Sequence, residues 1–494
     1  MWDRLSGRKE VETLEKFYLE DLLNGSESEE KELFGELVPV LPEFSDVCQQ
    51  IKELFFQRYQ QEGNLQSAME IQKKAIVGYQ KEVDFYKEKI TELVAEHHWE
   101  NVICPPWYEN LIDGIYHENW GMAGMAEWFS ERYKESSSAK IIGNRIYYLH
   151  QGKMVLMPQK ISSERKDQMI RAFLLLTPEE RLDREFHEVY LLDGTRITIF
   201  KGKMTKKEQD VIIFRRYIIP NYTFEEQAKR HTIPEDAIPL FRAMVDIGYS
   251  IICTGAVRTS KTTFLATWQQ YEDPSLEGVL LETDPEIPLH LLMPTAPIVQ
   301  LLADNDRLRT ISKNLLRSDA DYFILAEARD GKALDTAVRI ASKGTKRMKM
   351  TFHTRNPLDL PGEIASEIVK TEGGQWEATR LKVAESFDYI FHFVQLTDKS
   401  QKRLRGIYEM GLTKDRETIY VEPICLYDYE KDDWTWRYWL GNEKHQLGLE
   451  ENCESLKRME TILRELSEQH PMTEKKGVDL RFTGSEYLAA GGMK

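Results

Sequence analysis

The chain has 494 residues with 66 basic and 82 acidic side chains, a formal net charge of −16. That length leaves room for about three domains, each with a core of its own, and the acidity argues against a surface built to embrace nucleic-acid phosphates. No uninterrupted apolar run approaches the roughly 20 residues that cross a bilayer. The amino-terminal MWDRLSGRKEVETLEKF is charged and lacks the apolar core of a signal peptide. The five cysteines, at 48, 104, 253, 425 and 453, contain no C-x-x-C pair, so neither a disulfide framework nor a zinc cluster is expected, and the thiols read as reduced and cytosolic.

In chain order, NGSESEEKE (24–32) reads as a polar loop. Ala68, Ile71, Ala75, Tyr79, Val83, Tyr86, Ile90 and Leu93 then recur at steps of three and four, one face of a long amphipathic helix. A bundle packed within the chain accounts for that face; a coiled-coil partner is the alternative. RIYYLHQGKMVLMP (145–158) and HEVYLLDGTRITIF (187–200) are β-branched and aromatic runs broken at Gln151-Gly152 and Asp193-Gly194, the pattern of two hairpins. A polar helical stretch at 162–181 lies between them, so residues from about 110 to 230 read as a small α+β unit. After a helix at 239–247, strands and helices alternate to about residue 390, the signature of a mostly parallel sheet.

Within that region SIICTGAVRTSKTTFL (250–265) places a short apolar strand, a turn at Gly255 and a helix from Thr262 in succession. Gly255, Lys261 and Thr262 have the spacing of a phosphate-binding loop, in which backbone N–H groups and a helix N-terminus face the anion, lysine reaches the terminal phosphates and the hydroxyl holds Mg²⁺. Ser260 stands where that pattern has glycine. Three further strand ends carry polar groups: Glu282, Asp284 and Glu286 after 279–281, Glu327 after 322–325, and His353 after MKMTF. Ligands of open α/β sheets sit at such carboxyl ends. The bland alternatives are a solvated turn glutamate and a structural histidine.

These segments resemble the secretion ATPases that power type II and type IV secretion and pilus assembly, most closely the Tad-pilus branch. NLLRSDADYFILAEAR (314–329) is similar to the family's Walker B region, with Glu327 on its glutamate. MTFHTRNP sets His353 on the His-box histidine, and LETDPEI sets Glu282 and Glu286 on the glutamates of the acidic box. GMAGMAEWF, IYYLHQGKM, LLDGTRIT and IIFRRY resemble upstream family segments in the same order, so the likeness covers roughly residues 110–410. The resemblance implies an α/β fold: a RecA-like P-loop NTPase motor domain (236–430) after an α+β domain (110–235), with a helical region (1–109) before and a partly helical tail (431–494) after. It also implies a six-membered ring that hydrolyses ATP with Mg²⁺ on the cytoplasmic face of a membrane, against an integral platform protein.

Carried over residue by residue, the resemblance places nucleotide at Gly255, Arg258, Thr259, Ser260, Lys261, Thr262 and Thr263, with Thr262 on the metal and Lys261, Glu282, Glu327 and His353 in the chemistry. Arg196, Arg215 and Arg216 stand on arginines that approach the phosphates from the α+β domain, and of the adjacent pair one is assigned to nucleotide. Five departures fall near this chemistry: the loop loses two glycines, to Arg258 and Ser260; Thr283 replaces an acidic-box aspartate, with Asp284 displaced by one position; Ala326 replaces a glycine; Arg347 replaces another; and Asp319 replaces a basic residue. Arg258 either contacts phosphate or blocks the loop. Two functions remain open, a working ATPase and a non-hydrolysing structural or regulatory paralogue. A nucleic-acid motor is disfavoured, and no direct nucleic-acid binding is expected.

Overall fold

The structure is a computed structural model that describes residues 42–60, 65–175, 185–216, 223–283, 285–303, 320–328, 330–414, 416–473 and 477–481. The NGSESEEKE segment, Asp284, Asp319, Arg329 and residues 482–494 lie outside them.

Four helices open the described chain: α1 (Phe44–Phe55), α2 (Leu65–Ile76), α3 (Gln80–Glu96) and α4 (Leu111–Asn119). They pack in cis around Val47, Ile51, Phe55, Tyr86, Ile90, Leu93, Ile115 and Trp120. The long helix expected over 68–93 is instead two helices. Gly78 turns left-handed at φ +98°, and the Gly78 and Tyr79 N–H groups fold back onto the carbonyls of Ala75 and Lys74, which ends the first helix as glycine commonly does. Tyr79, expected on the apolar face, is exposed as a result.

Next comes an antiparallel sheet of β1 (Ser138–Ile142), β2 (Arg145–His150), β3 (Lys153–Lys160), β4 (Phe186–Tyr190), β5 (Arg196–Phe200) and β6 (Val211–Arg215), in the order β3-β2-β1-β6-β5-β4. Both expected hairpins are present. Gln151 and Gly152, at φ +46° and +73°, form the two-residue turn between β2 and β3, the left-handed pair that matches strand twist. One face buries Ile141, Ile146, Tyr148, Ile197, Ile199, Ile212 and Phe214 against Met169 and Phe173 of α5 (Ser163–Leu175).

The second sheet runs β15-β14-β13-β12-β7-β11-β10-β8-β9. Its strands are β7 (Ile251–Gly255), β8 (Gly278–Glu282), β9 (Ile298–Leu302), β10 (Tyr322–Ala326), β11 (Lys349–Phe352), β12 (Tyr389–Gln395), β13 (Lys402–Leu412), β14 (Thr418–Asp428) and β15 (Asp433–Trp436), with β16 (Val478–Arg481) paired to β14. From β12 to β9 every pairing is parallel. Beyond β12 the pairings are antiparallel. Helices α6 (Ile238–Ile247) and α7 (Lys261–Gln270) cover one face through Phe241, Met244, Phe264 and Trp268. On the other, α8 (Gly331–Ala341), α9 (Leu360–Glu372) and α10 (Trp376–Ser386) bury Leu334, Val338, Ile364 and Val383 against Ile252, Leu325 and Met350. The carboxyl-terminal helix α11 (Cys453–Gln469) adds Met459 and Leu463 to the first of these cores. Strand, glycine turn and helix on a parallel sheet covered on both faces make this a P-loop NTPase-like α/β fold. Among the described residues no helix is long and apolar enough to cross a membrane.

At the sheet's opposite edge Glu272, fully buried just past α7, accepts ion pairs from Lys349 Nζ (2.9 Å) and Arg347 Nη1 (2.6 Å). Lys349 is itself fully buried over the Tyr322 ring. Arg347 also donates to the carbonyls of Val245 and Asp246 at the end of α6. Removing the carboxylate would strand Lys349 in the interior, while the partly exposed Arg347 would keep its two carbonyl acceptors. Glu272→Gln is therefore expected to lower unfolding free energy by about 3 kcal/mol in urea titration; an unchanged midpoint would show that Glu272 and Lys349 are not a buried pair.

Candidate functional site

Parallel register sets the site. Thr254 lies opposite Phe352, Leu325 opposite Met350, and Ala326 opposite Glu282, so Gly255, His353, Glu327 and Glu282 all come off one edge of the sheet. The strands themselves are buried along their whole length, and the polar groups begin where they stop.

The loop leaves β7 at Gly255, whose φ is +139° and where a side chain would start 2.2 Å from the carbonyl oxygen of Phe393. Only glycine fits there. Arg258 (φ +65°) and Ser260 (φ +73°) are both left-handed, the conformation glycine adopts freely and other L-residues adopt at a cost of about 1–2 kcal/mol. Thr259 Oγ1 and Lys261 Nζ both donate to the carbonyl of Ala256, at 2.9 and 2.7 Å. Ser260 is the N-cap of α7 and makes no side-chain cap bond, so the first-turn amides of that helix are left to the loop. Thr262 Oγ1 donates to Glu286 Oε2 at 3.1 Å. Thr263 is buried, one turn before the Thr267 hydroxyl that donates to its carbonyl.

Lys261 Nζ lies 3.3 Å from His353 Nδ1, and His353 Nε2 lies 3.8 Å from Glu327 Oε1. Lysine, histidine and glutamate from three elements thus meet in one row. Glu327 carries its own left-handed backbone (φ +63°), and its N–H donates to Thr351 Oγ1 at 2.7 Å. Ala326, where the family has glycine, stays in the strand. Glu282 is buried, and its Oε1 accepts from the N–H groups of Glu286 (3.1 Å) and Ile287 (3.0 Å). That fixes the turn that brings Glu286 to Thr262. A hydroxyl with carboxylates is a hard-oxygen set that suits Mg²⁺, an ion that takes one or two protein oxygens and completes its shell with water and phosphate. Among the described residues no group of three or more His, Cys, Asp or Glu could hold a metal alone.

The three arginines part company. Arg196 and Arg215 are direct cross-strand partners and share the sheet face away from the α5 core. Arg196 pairs with Glu188, while Arg215 acts on Arg258, whose guanidinium is held below its usual pKa by desolvation and by that neighbour. Arg216, one residue on, points to the other face. It donates to the carbonyls of Ser136 (3.0 Å), Trp128 (2.9 Å) and Tyr133 and stacks on the Trp128 ring at 4.0 Å. The structure does not bring Arg216 to the loop.

One residue near the loop carried no sequence signal. His392, in the apolar run of β12, is buried with Nδ1 2.9 Å from Thr254 Oγ1. Burial, with Arg405 and Lys261 nearby, pushes its pKa down to about 4.

No family model matches the chain, and no curated protein matches it by sequence. Among solved structures, the Legionella pneumophila ATPase DotB aligns at 15% identity and TM-score 0.41 over 69% of this chain and 88% of its own. The VirB11 ATPase of the Brucella suis type IV secretion system, in complex with sulphate, aligns at 16% and 0.32 over 58% and 92%. The pilus retraction motor PilT with bound ADP aligns at 15% and 0.39 over 68% and 91%. Overlaps this loose assign neither fold nor function, which must come from this chain's own residues.

Two outcomes follow from the geometry. Arg258→Gly/Ser260→Gly relieves two left-handed residues but frees the unfolded chain, so unfolding free energy should rise by about 1 kcal/mol; a fall would mean the loop is not left-handed there. His392 binds its proton more weakly folded than unfolded, so its stabilisation is complete above the ordinary value of 6.5 and drains as pH falls toward about 4. Between those limits wild type should lose up to about 1.4 kcal/mol per pH unit more than His392→Asn, read from paired urea titrations.

Proposed function

We propose that this protein is a Mg-ATP-hydrolysing motor of a secretion or pilus-assembly system. The row Lys261–His353–Glu327 at the mouth of the loop carries the reading. A lysine at a helix N-terminus supplies fixed positive charge to a phosphate chain, and a carboxylate held by its backbone two strands along the sheet, beyond His353, is placed to reach an attacking water. Lys261 holds the β- and γ-phosphate oxygens, with the amides of 259–263 and Gly255 forming the cradle. Thr262 holds the Mg²⁺, whose charge neutralises phosphate oxygens when bound. Glu327 polarises the water with Glu282 behind it, and His353 senses the γ-phosphate.

Arg215, with Arg196 beside it on the sheet, delivers permanent charge from the α+β unit (110–235) to nucleotide seated on the motor unit (236–430). Domain closure is the work-producing step. The motor assembles as a homo-oligomer, a ring of six, on the cytoplasmic face of a membrane against an integral platform protein. Within 1–109 the helices α1, α2 and α3 precede the ring-forming units, and 431–494 follow them. The alternative, a structural paralogue without turnover, draws on Arg258 and Ser260, which keep the glycine-like backbone only under strain.

Phosphate release with Mg-ATP, measured over a range of protein concentrations, tests this. Turnover should rise with concentration and fall at least about 100-fold in Lys261→Ala and in Glu327→Gln. Folded, oligomeric protein that releases no phosphate at any concentration would favour the structural paralogue.

A further inference from the structure

We infer that His392 is a positioning residue that holds the phosphate loop in shape through Thr254. The inference rests on the nucleotide reading of the loop and adds a residue to it. Strand β12 reads YIFHFVQ, apolar but for His392 and Gln395, and a buried imidazole in such a run must satisfy its nitrogens with a specific partner. Register supplies that partner. His392 lies directly opposite Thr254 in the parallel pairing with β7, and its Nδ1 meets the Thr254 hydroxyl at 2.9 Å, both side chains buried. On the other edge of β12 the pairing with β13 slips between His392 and Phe393, an irregularity of the kind that re-aims a strand's side chains.

Thr254 is the last residue before the turn. The next, Gly255, is wedged against the Phe393 carbonyl, so two consecutive residues of β12 constrain the loop's departure, one by hydrogen bond and one by contact. The residue after that, Ala256, offers the carbonyl on which both Thr259 Oγ1 and Lys261 Nζ rest. The chain of support therefore runs from His392 to Thr254, across Gly255 to the Ala256 carbonyl, and on to Lys261. His392 touches no reacting atom; it sets where the lysine starts from. A threonine hydroxyl at a strand end can turn to solvent or to its own backbone, and the imidazole removes that freedom.

The test uses the full chain with four variants: His392→Ala, His392→Asn, Thr254→Val, and Thr254→Val/His392→Ala. Mg-ATP affinity is read by calorimetry, melting temperature alongside, and amide hydrogen exchange of 255–262 without nucleotide. His392→Ala and Thr254→Val should each weaken Mg-ATP binding by up to roughly tenfold, the worth of one buried hydrogen bond. The double variant should be no worse than either single one. Asparagine carries its amide where the imidazole carries Nδ1, so His392→Asn should restore affinity to within about twofold, the conservative replacement keeping the bond. Melting temperatures that fall while affinity and exchange at 255–262 stay at wild-type values would overturn the inference, as would effects that add in the double variant. Wild-type protein that fails to bind Mg-ATP, yet shows faster exchange at 255–262 in both single variants, would sink the nucleotide reading and leave the loop-positioning role standing.

Discussion

Everything at the sheet's functional edge depends on how Glu272 fixes the opposite one. The carboxylate ties the end of α7 to Lys349, where β11 begins, and to Arg347, which grips the end of α6. From that anchor, the ten residues of α7 run about 15 Å at the usual helical rise, while the path from Lys349 to the end of β11 covers about 13 Å at the usual strand rise. The two elements are nearly matched in length. Lys261 at the far end of one therefore arrives beside His353 at the far end of the other, 3.3 Å apart. A buried ion triad is poor evidence for net stability, but it is good at specifying which helix end meets which strand. Here it sets the pairing on which the candidate chemistry depends.

Left-handed backbone marks both edges of the sheet. Arg258, Ser260, Glu327 and Arg347 all have positive φ, and in the resembling family three of these positions are glycine. The backbone here takes the left-handed path that glycine adopts freely, with a side chain on it. Arg347 shows how such a position can be held: its guanidinium lies over Gly248, itself left-handed, and bonds a carboxylate and two helix-terminal carbonyls. Ser260 has no side-chain cap bond to offset its strain. Strain of this kind persists only where surrounding contacts over-determine it, and for the loop those are the Ala256 carbonyl with its two donors and the wedge at Gly255. The loop is held from its ends.

Much of this was legible in the sequence because parallel strands buried on both faces leave continuous apolar runs. The runs ending at Gly255, Glu282, Ala326 and Phe352 could be found by where they stopped, and the polar residue after each was a candidate for the same reason. Periodicity failed at Gly78, since an apolar face can continue through a left-handed break and look like one helix. It also could not separate Arg215 from Arg216 until the strand was placed, because adjacent residues of a strand face opposite ways. His392 was invisible for a different reason: one histidine in an apolar run gives no sign of what lies opposite, and the register with Thr254 is set by strands 138 residues apart. The charged surface of α11 likewise hid Met459 and Leu463, which join the core of the sheet.

Positive charge crowds the rim beside the loop. The β2–β3 turn packs at Gly152 against residues 398–400, in the turn between β12 and β13. Lys402, just past that turn, is held below the usual lysine pKa by desolvation and by the charges of Arg230 and Arg258, with Asp398 partly opposing them. Arg258 is in turn disfavoured by Arg215. Cations from the α+β sheet, the loop and β13 therefore crowd one region, each raising the energy of the next. Such a cluster weakens the fold that builds it, and it does so less when an anion sits among the charges. The repulsion adds to desolvation, the larger cause, in holding Arg258 and Lys402 below their usual pKa.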